Sequence, residues 1–394
     1  MKVEDTVADI DVTNIFIYVA DAVRWDTLPE SVSEKGMVWK SVAGSIHSPT
    51  SFATLVSGSY MPYHGVTDFD CRIPESVFTL FDIESHETRF VNSIGVSGSD
   101  DPIYSVLDQP SEEVEDPFGS VSKPFVVMER GQGGHSPYGN FDGTAQEYFG
   151  SRSDSTVEAV REEYREGVHQ DAETFLERLD HLKSEGILDD TLVIYTSDHG
   201  ELLGEGGMFG HNGPIRPELV FVPTVFIHPD IPAEESDEEF GHTELLSTIL
   251  NVLNVSEDER PVIYQPSTSD DVSFSFYQKH HDLPIVPFSG VTKYDSVWDS
   301  DGGYVFSRST WYQRAPGLIG NLFFAPTKHL SRKLFPDGLK AYKGGCSHYG
   351  EPPGNPEKFD EILEKWKESV ETPTSSVALD QDAQDRLKDL GYIN

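Results

Sequence analysis

Lys and Arg are scarce in this 394-residue chain: 29 of them face 68 Asp and Glu, a formal charge of −39 at pH 7. That shortage excludes a nucleic-acid interface, which needs bases to neutralise phosphates. Cysteine is scarcer still, with only Cys71 and Cys346. Two cysteines without metal spacing exclude a disulfide framework and point to a reducing interior. No apolar run approaches the ~20 residues of a membrane helix. The start, Met1-Lys-Val-Glu-Asp-Thr6, lacks the basic and then apolar regions of a secretory signal. The expectation is a cytoplasmic protein without a membrane anchor. The sequence is silent on oligomeric state.

Aromatic residues are plentiful at 11%, which sets the chain apart from acidic disordered proteins. A folded protein this acidic would repel itself in ordinary salt. Concentrated salt shortens that repulsion to a few Å, so the composition reads as that of a halophile, an archaeon by expectation. The acidity speaks about solvent rather than substrate.

Three segments carry chemistry. Thr191-Leu-Val-Ile-Tyr-Thr-Ser-Asp-His-Gly-Glu201 opens with an apolar run lacking alternation, the pattern of a strand buried on both faces, and stops at Asp198-His199. Parallel sheets bind ligands beyond the carboxyl ends of their strands, and an Asp beside a His there is a metal-ligand pair. Ile15-Phe-Ile-Tyr-Val-Ala20 has the same form and ends at Asp21. Between them, Ile46-His-Ser-Pro-Thr-Ser-Phe-Ala-Thr-Leu-Val-Ser-Gly58 is a hydroxyl-rich turn running into a short helix. A hydroxyl at a helix N-terminus sits where backbone N–H groups favour an anion. Carboxylates, a hydroxyl and an anion pocket together specify ester chemistry on sulfate or phosphate.

These segments resemble the sulfatase family of the alkaline phosphatase superfamily, from about Thr13 to Val255. The pieces come in family order: Asn14 to Asp21, Ser48 to Gly58 with Pro62-Tyr-His-Gly65, His135-Ser-Pro-Tyr138, Thr191 to Gly207, and Thr243 to Leu253. The terminal Arg386-Leu-Lys-Asp-Leu-Gly-Tyr392 resembles the ending of many members. The resemblance implies an α/β fold: a mixed, mostly parallel central sheet flanked by helices (alkaline phosphatase-like), with a smaller C-terminal α+β subdomain. The polar, proline-bearing composition near 256–270 suggests a boundary, giving a catalytic domain over 1–260 and the subdomain with a helical tail over 261–394.

The same resemblance assigns roles. Asp21, Asp198 and His199 match the family's metal ligands and imply one divalent ion: Mn, Zn or Mg, with an all-oxygen Ca cage a poorer fit to a His ligand. Ala22 stands where many sulfatases carry a second Asp. The nucleophile falls on Ser48, with Thr50 as the alternative, and Ser51 bonds the loop backbone. Sulfatases oxidise a Cys or Ser to formylglycine within Cys/Ser-x-Pro-x-Arg; here Thr50 and Phe52 replace the Pro and the Arg. An unmodified serine tilts the chemistry toward phosphate esters. His135 and His211 would face the substrate and serve the leaving group, and Arg24 and Asp26 would hold the ligand loop. His47 and His242 read as structural. The expected function is a metal-dependent hydrolase of sulfate or phosphate esters through a covalent Ser48 intermediate, on a small-molecule or glycan substrate. The alternatives are a formylglycine-type sulfatase, a phosphoglycerol- or phosphoethanolamine-type transferase, and a non-catalytic binding relative.

Further elements are read from pattern: strands at 123–128, 221–227, 272–277 and 303–307, and helices at 155–185, 244–253 and 359–370, the first of these capped by Ser155 with Glu158.

Overall fold

Alternate residues of the first strand belong to two different cores, which sets the layering of the whole chain. Ile15, Ile17 and Val19 pack into one hydrophobic cluster, and Phe16, Tyr18 and Ala20 into another. Such a strand must be covered on both faces. In the computed structural model the described residues are 3–8, 10–94, 101–111, 116–119, 121–256, 259–261, 264–282, 289–373, 376–379 and 381–389. The acidic run at 112–115 and the end of the terminal motif at 390–392 lie outside them.

The main sheet contains β1 (Asn14–Ala20), β2 (Met37–Val42), β3 (Glu87–Asn92), β4 (Phe125–Gly131), β5 (Thr191–Thr196), β6 (Phe221–Ile227) and β7 (Glu235–Gly241). Their order is β3-β4-β1-β5-β6-β2-β7. Only β6 runs against its neighbours β5 and β2; the other pairings are parallel. The carboxyl ends of β1, β2, β4 and β5 therefore lie along one edge. One face is covered by α1 (Ser48–Ser57), the other by α2 (Val157–Ser184), whose Val160, Tyr164, Val168 and Phe175 are buried at helical spacing.

The pattern reading of α2 needs one correction. Thr156 rather than Ser155 is its cap, with the Thr156 hydroxyl accepting from the Ala159 N–H. Ser155 is instead the end of the preceding turn, its N–H bonded to the Arg152 carbonyl. Three strands of the main sheet were not read from pattern: β2 has Lys40 in its middle, β3 is Glu-Thr-Arg-Phe-Val-Asn, and β7 is Glu-Ser-Asp-Glu-Glu-Phe-Gly at the sheet edge.

A second, antiparallel sheet follows, formed by β8 (Ser273–Asp282), β9 (Ser289–Trp298), β10 (Gly302–Ser307) and β11 (Cys346–Gly350) in that order. Between β10 and β11 lie α3 (Trp311–Phe323) and α4 (Phe335–Ala341). This sheet is sewn to the first. The Phe276 N–H donates to the Gly44 carbonyl at 3.0 Å and the Phe274 N–H to the Tyr60 hydroxyl at 3.0 Å. Tyr277, Tyr294 and Trp298 share a core with Val42, Ile46 and Phe221. β8 is thereby carried past the end of β2, alongside the segment that leads to Ser48.

Candidate active site

Asp21 leaves the end of β1 with both carboxylate oxygens buried. Arg130, the penultimate residue of β4, donates to Asp21 Oδ2 from Nη2 at 2.6 Å and from Nε at 3.0 Å. Burial pushes the Asp21 carboxyl up, but Arg130, with the His135 and His199 rings, outweighs it and holds it below the usual range. The backbone at Ala22 turns to φ 58, and its N–H donates to Asp198 Oδ1 at 3.0 Å. Burial and the Asp21 charge push the Asp198 carboxyl up. Ala22 thus offers its backbone N–H to the Asp198 carboxylate.

Asp21 Oδ1 and Asp198 Oδ2 are buried with no hydrogen-bond donor. Together with His199 they place three ligand atoms within 4.8 Å of one another. Carboxylate oxygens buried without donors are costly, and a divalent cation would satisfy both. The donor set of two oxygens and one imidazole fits such an ion.

His199 has a fixed tautomer. Nδ1 lies 2.9 Å from the Gly200 carbonyl, which only accepts, so Nδ1 carries the proton. Nε2 is left with its lone pair, and it faces Ser48 Oγ at 3.1 Å. Ser48 is the first residue of α1, with His47 in the cap position. The first N–H groups of a helix have no intrahelical acceptor, so the hydroxyl stands beside a ready anion site. Ser51 Oγ donates to the Asp198 carbonyl at 2.5 Å, tying the helix to the segment after β5. Thr50 is buried in the same turn, its carbonyl accepting from the Thr54 hydroxyl at 3.1 Å. Phe52 is in the core with the Arg130 guanidinium 5.4 Å over its ring. The cation beside the Asp21 carboxylate comes from β4 rather than from position 52.

His211 and His135 close the opposite wall. The His199 and His211 ring centroids are 4.3 Å apart, and those of His135 and His211 are 5.9 Å apart. His211 Nδ1 is 3.2 Å from Glu201 Oε2. His135 Nδ1 is 2.7 Å from the Ser136 carbonyl, which fixes its tautomer as at His199. Burial lowers the pKa of both rings, and at His211 the neighbouring His199 and His135 lower it further. Arg24 forks onto Asp26 at 2.8 and 2.7 Å and reaches Glu205 at 3.0 Å, bracing the loops after β1 and β5 rather than entering the site.

Three residues were not legible as site residues. Arg130 sits inside a buried strand, and only the charged pair Glu129-Arg130 at its end hinted at a role. Glu201 stood in the quoted motif without an assignment. Lys279, on β8, is buried, with Nζ donating to Asn212 Oδ1 at 2.9 Å and lying 3.5 Å from His47 Nε2. Nothing in the sequence joins 279 to 47 or 212. His47, read as structural, lines this wall; burial and Lys279 pull its pKa down to about 3, so it is neutral.

Residues 103–255 match the sulfatase family model. The chain carries a sulfatase-family domain. By class it is a sulfatase-like ester hydrolase. The chain is 28% identical to the low-salt glycan biosynthesis sulfotransferase Agl7 of Haloferax volcanii, over 96% of each chain. Its fold is similar to that of the phosphonate monoester hydrolase of Agrobacterium radiobacter, with a TM-score of 0.54 at 15% identity, covering 86% of this chain and 100% of that one. The sulfatase yidJ of Bacteroides fragilis, described as putative, has a TM-score of 0.54 at 12% identity, over 92% and 98%. Asp21 and Ser48 precede the matched stretch, and the parallel sheet is what brings them to Asp198 and His199.

Proposed function

We propose that this chain is a metal-dependent enzyme that cleaves sulfate or phosphate esters through a covalent bond to Ser48, with the phosphoryl branch favoured. The observation that carries this reading is the Ser48 hydroxyl at a helix N-terminus, 3.1 Å from His199 Nε2 and beside two carboxylate oxygens without donors. Asp21, Asp198 and His199 would hold the ion; when bound, it would polarise the ester oxygens and acidify the attacking hydroxyl.

Ser48 Oγ, its proton passing to solvent, bonds to phosphorus or sulfur as the bond to the ester oxygen breaks. The leaving oxygen takes its proton from the wall formed by His211 and His135. His211 suits this role because Glu201 stands behind its Nδ1 and can hold a proton with it. Lys279 supplies positive charge near the transferred anion, oriented by Asn212. Water then cleaves the Ser48 ester and frees the anion. Lack of Pro at 50 and Arg at 52 supports an unmodified serine, hence phosphate or phosphonate esters.

A second reading replaces water by an acceptor hydroxyl, so that the group on Ser48 is transferred rather than released. The name of the Haloferax volcanii relative, a sulfotransferase, favours it. The test is turnover of matched nitrophenyl sulfate, phosphate monoester, phosphodiester and phosphonate in molar KCl with Mn²⁺, with and without an acceptor sugar, for wild type and Ser48→Ala. Phosphodiester or phosphonate turnover lost in the variant supports the hydrolytic reading. Product appearing on the sugar supports transfer, and sulfate turnover with a mass change on the Ser48 peptide rejects the unmodified serine.

A further inference from the structure

Charge is shared unevenly along the chain. Between Gly302 and Gly350 stand seven Lys and Arg against a single acid, Asp337, in a chain whose acids outnumber its bases 68 to 29; Arg314 is buried and Arg308 pairs with Asp295 and Asp360, which leaves Lys328, Arg332, Lys333, Lys340 and Lys343. The same stretch concentrates exposed apolar surface. Of the six large hydrophobic side chains exposed among the described residues, five lie here: Trp311, Tyr312, Phe323, Phe335 and Leu339, with Trp311 71% exposed. A single exposed aromatic is ordinary, but five within 29 positions on a reversed-charge segment are not.

The fold gathers part of this surface into one face. α3 and α4 lie side by side around a groove of about 380 Å³, lined by Trp311, Leu318, Leu339 and Tyr342 and edged by Lys340 and Lys343. The Arg332 guanidinium lies 4.9 Å over the Phe323 ring, holding a cation against apolar surface. The face adjoins the catalytic cleft. Asn321 of α3 donates to the Asn212 carbonyl at 3.1 Å, next to His211. α4 presses so closely on the loop after β5 that a Cβ on Gly207 would lie 2.4 Å from the Gly338 nitrogen.

We propose that α3 and α4 form a docking face for an anionic lipid bilayer, placing the cleft beside the headgroups. Trp and Tyr beside Lys and Arg on amphipathic helices is the chemistry of the membrane interface: the rings enter the headgroup region and the bases meet lipid phosphates. A second copy of this chain fits less well, because its acidic surface would match the bases but leave the aromatic rings uncovered. Nor does the charge of −39 oppose lipid binding at working salt. At 1 M the screening length is about 3 Å, so a bilayer meets only the charges at the contact, where the exposed bases outnumber the one acid, Asp337, which pairs with Lys340 at 2.9 Å. The docking does not span the membrane: no helix among the described residues is long and apolar enough to cross one.

The experiment is flotation of the full chain in about 1 M KCl with phosphatidylglycerol or phosphatidylcholine vesicles, alongside light scattering without lipid. It reads binding, so it succeeds or fails independently of the ester chemistry. The wild type is expected to float with phosphatidylglycerol. The triple variant Trp311→Ser, Phe323→Ser, Leu339→Ser is expected to lose roughly tenfold of that binding, and Lys340→Glu with Lys343→Glu to lose the preference over phosphatidylcholine. Tyr264→Ser, which removes the one other large exposed ring among the described residues, should float as the wild type does. These changes are at the surface, and far-UV circular dichroism checks that each variant folds. The proposal is overturned if the wild type fails to float, or if the triple variant floats equally well. It is equally overturned if the wild type is a dimer that the triple variant turns into a monomer, because the face would then join two copies.

Discussion

At the residue scale the site depends on which atoms are already committed. His199 donates its Nδ1–H to the Gly200 carbonyl, so Nε2 is the ring atom turned toward both Ser48 Oγ, at 3.1 Å, and Asp198 Oδ2, at 3.4 Å. Ser48→Ala should therefore lower kcat by roughly four orders of magnitude while metal content measured on the purified protein stays that of wild type. Retained turnover would move the nucleophile to Thr50. Lys279→Met keeps the length of the side chain and removes its charge. The expected loss in kcat/KM is about 10²- to 10³-fold with an unchanged melting temperature; an unaltered kcat/KM would make Lys279 a core residue only.

Asp171, behind the His135 loop, makes a separate prediction about pH. Its carboxylate accepts from the Tyr18 hydroxyl at 2.9 Å, and burial pushes its pKa up to about 6 despite hydrogen bonds from the Gly133 and Gln132 backbone. The folded state therefore binds a proton more tightly than the unfolded chain. Its stabilising contribution is complete below the ordinary carboxylate range and is lost as pH rises through 6. Relative to Asp171→Asn, the wild type should lose on the order of 2–3 kcal/mol between pH 4 and pH 7. Denaturant midpoints of both proteins across that range check it, and parallel curves would refute it.

At the element scale, what was legible followed the burial pattern. β1, β5 and β6, and β4 as far as Met128, are mainly apolar runs because both faces of the sheet are covered, and α2 shows its period because one side only is covered. β2 and β7 were not legible for opposite reasons. Lys40 interrupts β2, its ammonium capping the Ser300 carbonyl at 2.7 Å, and β7 carries the acids of an edge strand. Asp21, Asp198, His199 and Ser48 could be placed because each ends or begins an element of recognisable pattern. Arg130 and Lys279 could not, because their partners lie on other elements, and pairing across 109 or 232 positions leaves no local signature. The loop after β4 gives the element-scale prediction. Gly133 has φ 55, and a Cβ there would lie 2.0 Å from the Asp21 carbonyl. Gly133→Ala should cost about 2 kcal/mol or more and weaken metal binding by moving Asp21. Isothermal titration with Mn²⁺ and thermal melts check the two parts, and a variant with wild-type values in both would show that the loop is not pressed against Asp21.

At the scale of the whole molecule, fold and charge make opposing demands. The interior is an ordinary one, with aromatic and branched side chains filling both faces of the main sheet. The net charge of −39 is carried by a chain with 29 bases, and many of those are already committed to local ion pairs such as Arg178–Glu129 and Arg308–Asp295. Long-range repulsion among the remaining acids falls steeply once the screening length drops from about 10 Å at 0.1 M to about 3 Å at 1 M. The melting temperature should accordingly climb over that range in KCl. An excluded osmolyte such as sucrose separates this cause from a general strengthening of apolar burial, since it favours the compact state without screening charge. If screening dominates, KCl and NH₄Cl at equal ionic strength give superimposable rises and sucrose gives little. A rise reproduced by sucrose would instead place the salt requirement in the core, and the acidic surface would then owe nothing to screening.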